Sequence, residues 1–147
     1  MNRAEQARFK RNAIPQPNGC WLWTGDSAAD GYGRFQSAPG KPRAMAHRWS
    51  YEAHTGPIPD GMQIDHLCHT RDLQCPGGRD CQHRRCVNPD HLEAVTNAEN
   101  TTRQRHANRL KDTCPKGHPY TGDNLIVRDG RRRCRECDRE RKRAKPV

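Results

Sequence analysis

Apolar positions along this chain are sparse and come in short bursts rather than long periodic runs. Trp21-Leu22-Trp23 and Tyr32-Gly33-Arg34-Phe35 read as two short strands, and the segment between them, Gly25 to Gly31, predicts a hairpin. Within Arg43 to Thr55, Ala46, Trp49 and Ala53 fall on one helical face, and Gly56-Pro57 ends the helix. After a turn at Pro59-Asp60-Gly61, Met62 to His66 reads as a short strand with Leu92 to Val95 as its partner. Thr96-Asn97-Ala98-Glu99 is a capping box, in which hydroxyl and carboxylate satisfy reciprocal backbone donors, so a helix is predicted from Asn97 to about Lys111. Residues 69–85 are polar and irregular. A short charged helix or frayed segment is expected over residues 1–12, ahead of the turn at Pro15 to Gly19. No internal repeat is evident.

Composition sharpens this. Only 16 of 147 residues are Leu, Ile, Val or Phe, and the net charge is +10. Such a chain buries too little apolar surface to fold on that alone. Eight cysteines and eight histidines supply the alternative, a fold built around structural metal, which contributes on the order of 10 kcal/mol per zinc site. No run approaches a membrane span and no signal-peptide core is seen, so a cytoplasmic, reducing setting is expected, with zinc favoured over disulfides. That argues against a secreted disulfide scaffold. The excess of 27 Lys and Arg over 17 Asp and Glu points to a polyanionic partner, nucleic acid first.

The ligand spacing predicts two closed zinc shells. Cys68, Cys86 and His91 surround the segment after His66, and Cys20 makes a fourth ligand, with Cys75 or Cys81 as rivals for that place. A Cys₃His set leaves no open position and is structural. Cys114 and His118, followed by Cys134 and Cys137, flank a segment with Asp129-Gly130 as its hairpin turn and have zinc-ribbon character. His69, Cys75, Cys81 and His83 form a candidate third site, against a disulfide or two free thiols.

Strand, loop, strand and capped helix carry Asp65-His66, Asn88, His91 and Asn100 in that order. In this the chain resembles HNH endonucleases of the His-Me finger (ββα-metal) superfamily over roughly residues 18 to 110, and Cys20, Cys68, Cys86 and His91 resemble the zinc site of His-Cys-box homing endonucleases. His66, at a strand end, is the expected general base, since a neutral imidazole accepts a proton from water near pH 7. The resemblance implies that Asp65 is a metal ligand. Asn100, in the first turn of the capped helix, adds an amide oxygen; the pair suits Mg²⁺ or Mn²⁺. Asn88 is expected to support the loop. The resemblance further implies 5′-phosphate and 3′-hydroxyl ends, and an arginine at the scissile phosphate, for which Arg34, Arg43 and Arg48 are candidates.

The expected architecture is therefore α+β: a small zinc-stabilised ββα-metal nuclease domain over residues 1–112, its core at about 62–111, and a zinc-ribbon-like module with a basic tail over 113–147. Double-stranded DNA is the expected partner. From Arg128 to Lys145 ten Lys or Arg stand against four Asp or Glu, and Arg103, Arg105, Arg109, Arg131, Arg132 and Arg133 are candidate phosphate contacts. Aromatic residues are too few for a single-strand stacking platform. Oligomeric state stays open, a homodimer included. The competing reading is a non-catalytic zinc-dependent nucleic-acid-binding protein, which has no need to keep Asp65-His66 and Asn100 together.

Overall fold

The computed structural model describes residues 2–75 and 77–144, and of residues 105–109 the backbone alone. Helix α1 (Arg3–Lys10) starts on a reciprocal cap between Asn2 and Glu5 and delivers Phe9 into the interior. Strand β1 (Ala13–Pro15) then turns back on β2 (Trp21–Trp23), with Ala13 opposite Trp23. The expected hairpin between Trp21–Trp23 and the Tyr32–Phe35 segment is therefore not formed. Strand β3 (Arg34–Phe35) pairs instead with β4 (Ala44–Met45). The indole N–H of Trp23 donates to the Asp26 carbonyl, 3.0 Å, which folds the glycine-rich segment over the ring instead of leaving it as a strand connection.

Helix α2 (Ala46–His54) begins three residues later than expected, because Ala44 and Met45 are extended and Arg43 is held by the Asp26 carboxylate. Its buried face is Ala46, His47 and Ser50. Trp49 is half-buried and stacks on Phe9, ring centroids 4.4 Å apart, and meets Phe35 edge-on at 4.7 Å. Phe9, Trp23, Phe35, Ala46 and Val87 complete one small aromatic core.

Strands β5 (Gln63–His66) and β6 (Leu92–Val95) pair antiparallel with His66 opposite Leu92 and Asp65 opposite Glu93. Helix α4 (Asn97–Leu110) follows on the predicted capping box, Thr96 and Glu99 bonding reciprocally. Between the strands the chain is less irregular than expected. It forms the five-residue helix α3 (Leu67–Arg71) and two 3₁₀ turns, Gln82–Arg85 and Pro89–His91. Beyond α4, β7 (Leu125–Arg128) and β8 (Arg131–Cys134) form a hairpin whose turn residues, Asp129 and Gly130, both take positive φ, as a two-residue turn of this hand requires. Helix α5 (Arg135–Arg143) occupies most of the expected basic tail, and Lys145 lies outside the described residues. The architecture is α+β. No helix among the described residues is long and apolar enough to cross a membrane.

Candidate active site and metal centres

His66 ends β5 with only 7 % of its surface exposed. Its Nε2–H donates to the Cys86 carbonyl at 3.1 Å. A carbonyl can only accept, so the proton belongs on Nε2 and the lone pair on Nδ1. The ring packs against His47, centroids 4.8 Å apart, and Tyr32, 5.9 Å. Burial pulls the His66 pKa from 6.5 to about 4, against a smaller upward pull from the Cys86 carbonyl. The imidazole is therefore neutral at pH 7.

Alternation along β5 puts Gln63 and Asp65 on the face toward α4 and His66 on the other. Because His66 is the last residue of the strand, both nevertheless line one cleft of about 290 Å³, together with Asn100, Gln104, Arg84 and Lys111. Asp65 is buried and receives Arg103 at 3.4 Å; the same guanidinium also binds Glu93, directly across the strand pair. Asn100 donates to Gln63 at 2.9 Å and accepts from Gln104 at 3.0 Å. These are hard oxygen donors on rigid elements, the kind of set a small divalent cation prefers.

The segment Cys86-Val87-Asn88 organises the site. The Cys86 carbonyl fixes His66, and the Val87 backbone bonds to Trp21 on β2 and to the Ser50 hydroxyl on α2, at 2.8 and 2.6 Å. The Asn88 amide donates to the Gly19 carbonyl at 2.7 Å and its oxygen caps the turn at Asp90. Gly19 has φ +80°, and a Cβ there would stand 3.3 Å from His91 Nε2. Only glycine lets the chain pass so close to that ring.

Three Cys/His sets each bring four ligand atoms within 4.8 Å of one another: Cys20, Cys68, Cys86 and His91; His69, Cys75, Cys81 and His83; Cys114, His118, Cys134 and Cys137. Cys20 is thus the fourth member of the first set, and Cys75 and Cys81 belong elsewhere. Those two sulfurs lie 3.3 Å apart and are not disulfide-bonded. Each set is compatible with zinc. In two of them a carboxylate stands behind the histidine, Asp72 at 3.6 Å from His83 Nε2 and Glu140 at 3.4 Å from His118 Nε2, leaving Nδ1 turned to the sulfurs. Such outer partners orient ligating imidazoles. The Cys68 thiol and the Asn88 N–H pull the Cys86 pKa down to about 5, while burial and Cys86 push Cys20 up to about 11. These contacts favour the thiolate of Cys86, the form in which a cysteine binds metal.

Several sequence expectations land elsewhere. Arg34, Arg43 and Arg48 do not line the cleft; Arg84 and Lys111 do. Arg103 pairs with Asp65 and Glu93 and keeps about a third of its side chain exposed. Arg131 and Arg133 are exposed, Arg133 pairing with Asp138 at 3.2 Å, and Arg132 lies 4.1 Å over the Tyr120 ring. The side chains of Arg105 and Arg109 lie outside the described residues. Sequence reasoning missed His47, Tyr32, Arg84 and Lys111. His47 alone carried a signal, since it follows Ala46 on the helix that leads into β5.

The profile of the HNH endonuclease family matches residues 44–72, which include His47, Asp65 and His66. The chain is 32 % identical over 99 residues to an "uncharacterized gene 5.3 protein" of Enterobacteria phage T3, covering 64 % of this chain and 85 % of that protein. It is 30 % identical over 106 residues to "Protein 7.7" of Escherichia phage T7, covering 72 % of this chain and 63 % of that one. No solved structure matches.

Proposed function

The chain belongs to the HNH endonuclease family, and we propose that it is a metal-dependent endonuclease hydrolysing phosphodiester bonds of double-stranded DNA. The observation that carries this reading is the meeting of His66, Asp65 and Asn100 in one cleft, with the proton of His66 assigned to Nε2 by the Cys86 carbonyl. A zinc-binding module without catalysis would not require it.

In this mechanism His66 Nδ1 accepts the proton of the attacking water. The Cys86 carbonyl holds the ring and favours the imidazolium as it forms. His47 and Tyr32 pack the ring in place, and Asn88 keeps the Cys86 segment against β2. Asp65 and Asn100 would hold a Mg²⁺ or Mn²⁺ ion, Asn100 giving up its bond to Gln104; such an ion would supply charge relief at the reacting phosphodiester. The products are 5′-phosphate and 3′-hydroxyl ends. The three Cys/His sets hold structural zinc, and exposed Arg131 and Arg133 contact backbone phosphates.

Incubation of supercoiled plasmid with the protein and Mg²⁺ is the test. We expect open-circle or linear DNA from the parent chain and a loss of about 10²–10⁴-fold in rate for His66→Ala with its zinc retained. Equal cutting by the variant would remove His66 as the base. Plasmid that is shifted in a gel yet uncut with Mg²⁺ and with Mn²⁺ would favour the binding-only reading.

A further inference from the structure

Asp65 and Glu93 stand directly opposite each other on the paired strands β5 and β6. Cross-strand partners share one face, so two like charges meet there, an arrangement that weakens a strand pair unless a cation joins it. Arg103 of α4 is that cation. One nitrogen, Nη1, reaches both carboxylates, and it does so unequally: 2.5 Å to Glu93 Oε2 and 3.4 Å to Asp65 Oδ2. Glu99, one turn earlier on α4, is engaged by the Thr96 cap instead.

The two carboxylates differ in their surroundings. Asp65 keeps 7 % of its side chain exposed and lines the cleft with His66 and Asn100; Glu93 keeps 46 % and is not a lining residue, nor is Arg103. A buried carboxylate attracts a guanidinium more strongly than an exposed one, because less water screens the pair. Yet the exposed partner holds Arg103 closer, and of the two Asp65 oxygens Arg103 meets only Oδ2. A cation entering the cleft must compete with Arg103 for Asp65, and Glu93 sets the terms of that competition.

We propose that Glu93 is a positioning residue for Asp65: it draws the Arg103 guanidinium across the strand pair and so leaves the Asp65 carboxylate available to a divalent cation in the cleft. The proposal rests on the nuclease reading for Asp65 as a metal ligand. Charge stays balanced throughout, since Arg103 neutralises Asp65 before a cation arrives and Glu93 keeps the guanidinium paired afterwards.

Mn²⁺ binding to the full zinc-loaded chain tests this without any cleavage, read from the electron paramagnetic resonance of free Mn²⁺, with Asp65→Asn as the control that identifies the cleft site. Glu93→Gln should weaken binding about 10-fold, because Arg103 then closes on Asp65; loss of a charge beyond contact distance would alone account for about two- to threefold. Arg103→Met should tighten binding instead, which structural damage cannot do. The double variant Glu93→Gln/Arg103→Met, which leaves no opposed carboxylates on the strands, should return to within about threefold of the parent chain. Equal losses from Glu93→Gln with and without Arg103 would overturn the proposal, reducing Glu93 to a through-space charge. Weaker binding in a folded Arg103→Met would overturn it as well, making Arg103 the residue that orients Asp65. If Arg103→Met does not fold, the double variant decides, and one that binds no tighter than Glu93→Gln sinks the idea. A parent chain that binds Mn²⁺ no better than Asp65→Asn would remove the metal site of the nuclease reading together with the proposal, whereas Mn²⁺ held at Asp65 without coupling to Glu93 would remove the proposal alone.

Discussion

His66 and His47 are two buried imidazoles packed at a tilt, and pH should report it. Burial lowers both, His66 to about 4 and His47 to about 3, His47 being lowered further by the neighbouring His66. Both folded values lie below the unfolded value of 6.5, so the unfolded chain binds more protons across the interval between them. The associated stability is full above about pH 6.5 and is lost as pH falls toward 4, by about 1.4 kcal/mol per pH unit for each histidine. Urea unfolding between pH 7 and 5 with zinc in excess should show a steep loss for the parent chain. His47→Phe should reduce that slope by up to one proton, and an identical slope would mean that His47 is not held neutral. The sequence made His66 legible because Asp65-His66 stands in a recognisable order with Asn88 and Asn100. His47 carried a weaker signal, because its place rests on a ring contact between residues nineteen apart in the chain.

At the scale of elements, local signals survived and pairings did not. The capping box at Thr96 and Glu99 is a four-residue chemistry, complete within itself, and α4 begins where it says. The hairpin prediction for Trp21–Trp23 failed because β1 carries only Ala13, Ile14 and Pro15, too weak a pattern to compete on paper, while the shared burial of Ala13 and Trp23 decides it in the fold. On α2 the expected Ala46 and Trp49 do pack on the core, but Ser50 and His47 also turn inward to meet Val87 and His66, partners invisible to periodicity. Since α4 positions Asn100 and Arg103 against β5, its first turn should matter to the site. Thr96→Ala removes the hydroxyl that accepts from the Glu99 N–H and should cost about 1 kcal/mol in chemical denaturation. An unchanged midpoint would show that β5 and β6 hold the helix start without its cap.

For the whole molecule the deciding quantity is how little apolar core there is. One aromatic cluster joins α1, β2, β3 and α2, and among the described residues nothing comparable underlies 69–85 or the chain beyond α4. In both of those regions the buried side chains are mostly cysteines, gathered with histidines into four-ligand sets. The last set was legible from spacing and the first up to its fourth ligand, for which Cys20 had rivals; the middle one was left among three alternatives, because spacing cannot say whether a polar loop closes on itself. Its closure predicts a stoichiometry. Atomic spectroscopy on purified protein should find three zinc ions per chain, and Cys81→Ser should leave two while the remaining sets stay filled. The consequence should be local: His69 and Cys81 line the cleft with Lys111, so losing that ion loosens this part of its wall without touching the Cys86 carbonyl that holds His66. Substrate affinity should therefore fall more than turnover, and a parent chain holding only two zinc ions, unchanged by Cys81→Ser, would show that the thiols of this loop serve without metal.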